Sequence, residues 1–166
     1  MSSALSEPSR THGVDMGLYN KILVVTDLSD ESSVIIERAK AIAEGHADRL
    51  QLLHVVEYVP LEPMGETVLP TVQLEGELVI RATEKLAQIA AQHGLTSSHQ
   101  WVTVGGTKTE IQRAAQRLGI DLIVVGNHER HGLKALVNFT ADAVLHTAPC
   151  DVLAVHLPGP QRRKNP

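Results

Sequence analysis

The sequence predicts an α/β domain built on a doubly wound parallel sheet with helices on both faces. Continuous runs of aliphatic residues alternate with segments whose apolar residues recur at helical spacing, which gives the order β-α-β-α-β-α-β-α-β. Strands separated by helices run parallel, because each helix returns the chain to the end of the sheet where the previous strand began, and these crossovers are right-handed. A length of 166 residues leaves room for one domain of this class.

The first part of the chain supplies two strands and the helix between them. Lys21–Thr26 is an uninterrupted apolar run, typical of a strand that is covered on both faces. Asp27 begins a polar stretch that we expect to cap the first helix, since an aspartate complements the positive end of a helix. Gly45 is predicted to end that helix at the C′ position, and Leu50–Val56 is predicted to form the second strand.

The middle of the chain predicts a long helix, a short strand and a third helix. The long helix covers Thr71–His93, after a loop that contains three prolines. Trp101–Val104 has the composition of a strand. The pattern Thr107-x-x-Glu110 is a capping box, and it predicts a helix that ends at Leu118.

The last part of the chain repeats the alternation and completes the sheet. Asp121–Gly126 is predicted to be the fourth strand, and a helix over Lys134–His146 follows a polar loop and stops before Pro149. Val152–His156 is the fifth strand. Ligands of such sheets bind beyond the carboxyl ends of the strands, so functional residues are expected there.

Composition and charge exclude several classes of function. A net charge of −4 with 2% aromatic residues argues against binding to nucleic acid or to anionic membranes. Cys150 is the single cysteine, which excludes an internal disulfide framework and suits a reducing compartment. Residues 1–18 and 158–166 are expected to be a disordered N-terminal arm and a flexible basic tail. The arm lacks the apolar run of a secretory signal, and we expect a cytoplasmic protein.

Four segments together resemble the universal stress protein family. They are Val25–Ser29, His54–Val56, Asp121–Gly126 and Ala148–Val155, which stand in the order and spacing of that family. The resemblance covers residues 19–157 and implies a five-stranded Rossmann-like (adenine nucleotide alpha hydrolase-like) fold with the strand order 3-2-1-4-5. It also implies a homodimer that is induced under stress or growth arrest.

The family contains members that bind ATP and members that do not, and its nucleotide motif is Gly-x2-Gly-x9-Gly-Ser/Thr. On this chain the motif falls on Gly126, Glu129, Phe139 and Thr140, so two of its three glycines are absent. At about 4 Å, each charge pair between Glu129 and a phosphate costs roughly 1 kcal/mol in water and about 4 kcal/mol at an effective dielectric of about 20. The ring of Phe139 stands where main chain should approach phosphate. The sequence therefore looks like the A-type branch, and we expect no tight ATP binding.

Six residues form a candidate vestigial nucleotide site at the strand ends: Asp27, Gly105, Gly126, His128, Arg130 and Thr140. Five of them also have a structural interpretation. Asp27 caps a helix, Gly105 belongs to a tight turn, the loop cations are solvated, and Thr140 belongs to the fourth helix. The remaining alternative is that the cations of this loop hold a smaller anion or a nucleotide in a displaced pose; they are His128, Arg130, His131 and Lys134.

Metal binding and catalysis find little support in the sequence. His128 and His131 lie in one loop, with Glu129 and His54 near them in the fold, but no His-x3-His or HExxH pattern accompanies them. No Gly-x-Ser-x-Gly, Walker or Gly-x-Gly-x-x-Gly motif is present, and Cys150 occupies a packing position before a strand. We expect no metal, no cofactor and no enzyme activity.

The fifth strand is expected at the edge of the sheet, where an uncovered apolar strand is an aggregation hazard. The resemblance implies that the same strand of a second subunit covers it, across a two-fold axis. The predicted interface residues are Val152, Leu153, Ala154, Val155 and His156. The leading hypothesis is a non-enzymatic homodimeric stress-response factor that acts through protein partners. The alternatives are an ATP- or AMP-binding switch or slow ATPase with a degenerate loop, and an anion- or metabolite-binding module.

Overall fold

Strands and helices alternate along the chain in the predicted order. This computed structural model describes residues 18–57, 71–96, 99–128, 141 and 144–157. The elements are β1 (Ile22–Val25), α1 (Ser32–Ile42), a short 3-10 helix (Ala47–Arg49), β2 (Leu50–Val56), α2 (Thr71–Gln92), β3 (Gln100–Val104), α3 (Thr107–Leu118), β4 (Leu122–His128) and β5 (Asp151–Leu157). Residues 141 and 144–145 are helical. Residues 134–140 and 142–143 of the predicted fourth helix, residues 1–17 of the predicted arm and the predicted tail lie outside the described residues. His146, the last residue of that predicted helix, lies in a turn.

The five strands form one parallel sheet in the order β3-β2-β1-β4-β5, which confirms the predicted topology. β1 lies at the centre, where Ile22 aligns with Leu50 of β2 on one side and with Leu122 of β4 on the other. Every residue of β1 is buried, whereas every residue of β3 is only half-buried. The uninterrupted apolar run in β1 follows from this position, because a central strand is covered on both of its faces.

Each face of the sheet carries its own hydrophobic core, because successive side chains of a strand point to opposite faces. Ile22 and Val24 pack on the face covered by α1 and α2. Leu23 and Val25 pack on the opposite face, against α3, Ala141 and Val144. Burial of one such aliphatic side chain contributes about 1.5–3 kcal/mol to folding. Within the described residues, no helix is both long and apolar enough to cross a bilayer.

The end of α1 differs from the prediction that Gly45 is the C′ residue. The N–H of Glu44 bonds to the carbonyl of Ala41, and the N–H of Gly45 bonds to that of Lys40. This pair of bonds is the Schellman pattern, and it puts Glu44 at C′ with a φ of 54°. Gly94 takes the same position after α2 with a φ of 72°. The helix α1 therefore ends one residue earlier than expected, with a glutamate in a left-handed conformation.

The beginning of α3 corrects the predicted capping box. Gly106 is the N-cap residue, and no side chain caps the helix. The hydroxyl of Thr107 donates to the carboxylate of Glu57 instead. The carboxylate of Glu110 accepts from the Thr103 hydroxyl at 2.9 Å and from Arg113 at 2.7 Å. Glu110 thus ties α3 to β3, a connection that depends on the folded sheet and has no local signal.

A polar cluster joins α1 to the end of α2. One ring nitrogen of His93 lies 2.7 Å from Glu37, and the other lies 3.3 Å from the hydroxyl of Ser33. Lys40 donates to the same Glu37 carboxylate at 3.0 Å. The hydrogen bonds to His93 and Lys40 lower the pKa of the Glu37 carboxyl. Since these contacts link two helices on one face, we assign the cluster to helix packing.

Candidate functional site

The carboxyl ends of the strands gather three of the six predicted site residues at one edge of the sheet. Asp27 follows the central strand β1, Gly126 lies near the end of β4, and Gly105 follows the edge strand β3. Hydrogen bonds connect these ends, since Thr26 N–H bonds to Leu53 and Gly105 N–H bonds to Val56. The crevice in which doubly wound sheets bind ligands therefore lies next to these carboxyl ends.

Asp27 shapes the loop between β1 and α1 and does not cap the helix. Its Oδ1 accepts the N–H of Ser29 at 2.9 Å, which closes an Asx turn. The N-cap position of α1 is Glu31, whose side chain makes no capping hydrogen bond. Leu28, between them, has a φ of 63°, and its buried side chain holds this unusual backbone in place. The capping prediction for Asp27 is therefore wrong.

Two buried hydroxyls below this loop were not predicted as site residues. The Thr26 hydroxyl accepts the N–H of Leu28 at 2.9 Å and shares a hydrogen bond with the hydroxyl of Ser32. Both residues are nearly inaccessible, with 4% exposure for Thr26 and 1% for Ser32. The available signal was a threonine at the end of an otherwise aliphatic strand, because a buried hydroxyl needs a partner.

Ser29 carries an orphan hydroxyl in the same loop. Its Oγ is buried and has no hydrogen-bond partner among the residues that the structure describes. A buried polar atom of this kind costs about 1–3 kcal/mol when it stays unpaired. It lies two residues after Asp27, and among the described buried side chains at the strand ends it is the one that still requires a partner.

His54 does not contribute to a metal site through Nδ1. Its Nδ1 lies 2.9 Å from the carbonyl oxygen of Thr26. Since a carbonyl oxygen only accepts, Nδ1 carries the proton and donates it. Among the residues with described side chains, no group of three or more histidine, cysteine, aspartate or glutamate side chains is arranged to hold a metal.

Gly126 is a glycine because two side chains fill the space beside its Cα. A Cβ at this position would lie 2.7 Å from Cδ1 of Leu157 and 2.8 Å from Cδ1 of Ile35. Gly126 also lies inside β4, which continues to His128, so the predicted strand end is two residues too early. Side-chain packing is thus sufficient to explain why residue 126 is a glycine, and a phosphate-binding role is not needed for that.

Gly105 fits the turn interpretation. It has a φ of 149°, and a Cβ there would lie 3.0 Å from Cγ of Glu110. Only glycine adopts such a backbone conformation readily, so the turn before α3 requires it. Of the other site residues, His128 is described only in its backbone, and Arg130 and Thr140 lie outside the described residues together with Glu129 and Phe139. The argument that Glu129 and Phe139 prevent tight ATP binding therefore stays a prediction.

Comparison with known proteins agrees with this fold. The model of the universal stress protein family matches residues 18–156. The chain belongs to this family. It is 39% identical over 145 residues to universal stress protein A homolog 2 of Coxiella burnetii, covering 87% of this chain and 99% of that protein. It is 28% identical over 144 residues to universal stress protein A of Salmonella typhimurium, covering 84% and 95% respectively.

Solved structures of the family superimpose on the described sheet. UspA from Lactobacillus plantarum has a TM-score of 0.65 at 26% identity and covers 82% of this chain and 97% of its own. A universal stress protein in complex with cAMP has a TM-score of 0.58 at 25% identity, covering 83% of this chain and 97% of its own. The Rossmann-like architecture implied by the sequence resemblance is therefore confirmed.

The edge strand β5 of this family member has an apolar and half-exposed surface. It pairs with β4 from Asp151 to Leu157. Val152, Leu153 and Ala154 are half-buried, Val155 is buried and His156 is exposed. No described strand lies on the other side of β5, since the sheet order ends there.

Cys150 lies directly before β5 and packs against the second core. It belongs to the partly buried residues around that cluster. Burial, and then the charges of Asp121 and Asp151, raise the pKa of its thiol. A raised pKa leaves little thiolate at neutral pH, so the geometry fits a packing residue better than a nucleophile.

Proposed function

We propose that the protein is a cytoplasmic, non-enzymatic, homodimeric stress-response factor that acts through protein partners. The observation that carries the proposal is the β5 edge, where three consecutive apolar residues, Val152 to Ala154, remain half-exposed. An apolar edge strand favours pairing with a second strand, and pairing with its own copy gives a closed two-fold assembly. One cysteine in 166 residues suits the reducing cytoplasm.

The strand ends support a role without catalysis. The described polar groups there bond mainly to one another or to the backbone: Thr26 to Ser32, Asp27 to Ser29, and His54 to Thr26. Such mutual bonding fixes the loop but presents no activated nucleophile beside a base. The side chains of Ile35 and Leu157 fill the space beside Gly126. These contacts indicate that the residues at the carboxyl ends of the strands stabilise the fold.

The molar mass in solution tests the pairing. Light scattering at micromolar concentration should give twice the 18.0 kDa of one chain. A mass of one chain at that concentration would overturn the homodimer and, with it, the proposed mode of action. The same measurement with and without added ATP tests whether pairing depends on a nucleotide, and we expect no change.

A nucleotide-binding role is the second candidate, and two observations favour it. The Ser29 Oγ is buried without a partner among the described residues, and a relative of 25% identity was solved in complex with cAMP. A cyclic monophosphate carries a single charge, so the carboxylate of Glu129 opposes it less than it opposes a triphosphate. The Ser29 hydroxyl is a donor that such a ligand could use.

Two measurements separate the candidates. Analysis of protein purified without added nucleotide should find none, and calorimetric titration with Mg-ATP or cAMP should give no heat of binding.

Ser29→Ala should leave the unliganded protein as stable or more stable, because it removes an unpaired buried hydroxyl. Co-purified nucleotide, or cAMP binding that Ser29→Ala abolishes, would promote the second candidate. Glu129→Gly combined with Phe139→Gly should raise the affinity for ATP if the loop argument is correct.

A further inference from the structure

A second surface lies at the opposite edge of the sheet, between β3 and α3. A cavity of about 500 Å³ opens there, and its lining combines the buried apolar residues Leu53 and Ala114 with polar and charged side chains. We call it the β3–α3 groove and define it by Trp101, Thr103, Glu110, Arg113, Ala114 and Arg117. Its volume falls in the range of ligand-binding clefts. Of the candidate nucleotide-site residues, the three with described side-chain positions, Asp27, Gly105 and Gly126, do not line it.

The backbone of β3 lies along this groove, at the edge of the described sheet. The sheet order begins with β3, so no described strand pairs with its outer side. All five residues from Gln100 to Val104 are half-buried. An edge of this kind presents N–H and C=O groups that an extended segment can pair with, which is the usual mode of strand addition.

The rim of the groove is cationic although the whole chain has a net charge of −4. Arg113 is 71% exposed in its side chain and makes one bond to Glu110. A guanidinium has five N–H donors, so that bond leaves donors for a second carboxylate. Glu110 is the one carboxylate of α3, and Thr103 and Arg113 already hold it.

The aromatic wall of the groove is held in position. Trp101 donates its indole N–H to Gln51 at 2.8 Å. The guanidinium of Arg117 lies 5.1 Å from the centre of the Trp101 ring, a cation–π contact that orients the arginine over the groove. Tryptophan and arginine are the residue types that carry most binding energy at protein interfaces.

We propose that the β3–α3 groove docks an extended acidic segment of a partner protein, which adds as a strand to β3 and places carboxylates on Arg113 and Arg117. A second copy of this chain is disfavoured at this edge, since β3 contains no carboxylate and the copy would bring the same arginines. The inference rests on the proposed role through protein partners and assigns the partner to a surface other than β5.

A synthetic peptide tests the docking through the only tryptophan of the chain, Trp101. The probe is an acetylated and amidated hexapeptide of alternating glutamate and valine, which has no fluorescence of its own. It should change the Trp101 emission saturably. The same peptide with lysine in place of glutamate should not, because its charges oppose the arginine rim. A glutamate peptide with N-methylated amides on one edge should bind at least about tenfold more weakly, because it cannot complete the strand pairing.

Charge-matched variants locate the contact, with anisotropy of a fluorescein-labelled glutamate peptide as the readout. Arg117→Gln and Arg113→Gln should each weaken binding about tenfold. Lys108→Gln removes the same charge from an exposed position of α3 outside the groove, and it should change binding less than about twofold.

Four results would overturn the inference: no saturable binding of the glutamate peptide, equal binding of the N-methylated peptide, equal losses for Lys108→Gln and Arg117→Gln, or a mass above that of the dimer without peptide. Equal binding of the N-methylated peptide would indicate a simple carboxylate site. A mass above that of the dimer without peptide would indicate a second copy at this edge. Because the mass of each sample is measured alongside, failure of peptide binding in an intact dimer rejects the groove alone, and loss of the dimer rejects the proposed function.

Discussion

The two edge strands of the sheet are similarly exposed but have different chemical surroundings. β5 carries the half-exposed apolar run from Val152 to Ala154. β3 is bordered by the arginine rim of the β3–α3 groove. An apolar edge favours an identical apolar partner, whereas a cationic edge repels its own copy and favours an acidic one. On our proposals, side-chain chemistry beside the strand, more than strand exposure, decides which partner each edge takes.

The largest expected effect comes from a charge placed on each edge in turn. Val152→Lys should convert the dimer to a monomer, because a lysine at the pairing strand opposes its own copy across the two-fold axis. Val102→Lys puts the same change on β3, also at a half-buried valine, and should leave the dimer intact. Light scattering gives the mass, and circular dichroism checks that both variants are folded. Dissociation of folded Val102→Lys, or a dimeric Val152→Lys, would reverse the assignment of the two edges.

The second effect is a change in the free energy of unfolding when a glycine near each edge strand is replaced by alanine. Gly126→Ala should lower the free energy of unfolding by about 1–3 kcal/mol, since its Cβ would overlap Leu157 of β5 and Ile35. Gly106→Ala, near the end of β3, is the control. A Cβ at Gly106 would have Thr109 Oγ1 as its nearest contact, at 4.0 Å, and should change stability little. Urea unfolding measures both variants, and a neutral Gly126→Ala would show that the space beside Gly126 is open.

A third effect distinguishes the two edges by salt. Binding of the glutamate peptide to the β3–α3 groove should weaken as salt rises, because the Debye length falls from about 10 Å at 0.1 M to about 3 Å at 1 M and exposed charge pairs are screened more strongly. Pairing through β5 should persist or strengthen in the same buffers, because it rests on apolar burial. Anisotropy and light scattering follow the two equilibria in parallel. Equal salt responses would remove the distinction between the edges.

The smallest expected effect is on the rate at which iodoacetamide modifies the Cys150 thiol, directly before β5, as the pH changes. Because the pKa of the Cys150 thiol is raised, iodoacetamide should modify it more slowly than free cysteine at neutral pH. The rate should still be rising above pH ~8.5, where a free thiol is already half ionised. Mass spectrometry of timed samples measures the rate. A thiol as reactive as free cysteine would contradict the packed position of Cys150.

The strands of the sheet were predicted well from the sequence, because each strand is marked by the residues within it. The aliphatic run of β1 and the alternation with helices were sufficient for the strands, and the family resemblance supplied their order. The helix ends were predicted less well. Asp27, Gly45 and the Thr107–Glu110 pair each matched a local motif, but the folded chain uses Glu31, Glu44 and Gly106 at the corresponding positions.

The candidate site was harder to predict because its contacts join distant parts of the chain. The packing of Leu157 beside Gly126 requires β5 to lie next to β4. The bond between Trp101 and Gln51 likewise requires β3 to lie next to β2. No periodicity encodes such pairs. The phosphate-loop argument at Glu129 and Phe139 stays a sequence prediction, since those residues lie outside the described part of the chain.

Amide exchange measured residue by residue by NMR tests the central claim most directly. In an unpaired edge strand, alternate amides face solvent and exchange quickly, whereas a strand paired on both sides protects all of them. At micromolar concentration, every amide from Val152 to His156 should be protected in the wild type, and alternate ones should lose protection in Val152→Lys. Alternate amides of β3 should exchange quickly until the glutamate peptide is added. If alternate β5 amides in the wild type exchange as quickly as those of β3, the protein does not pair through this strand.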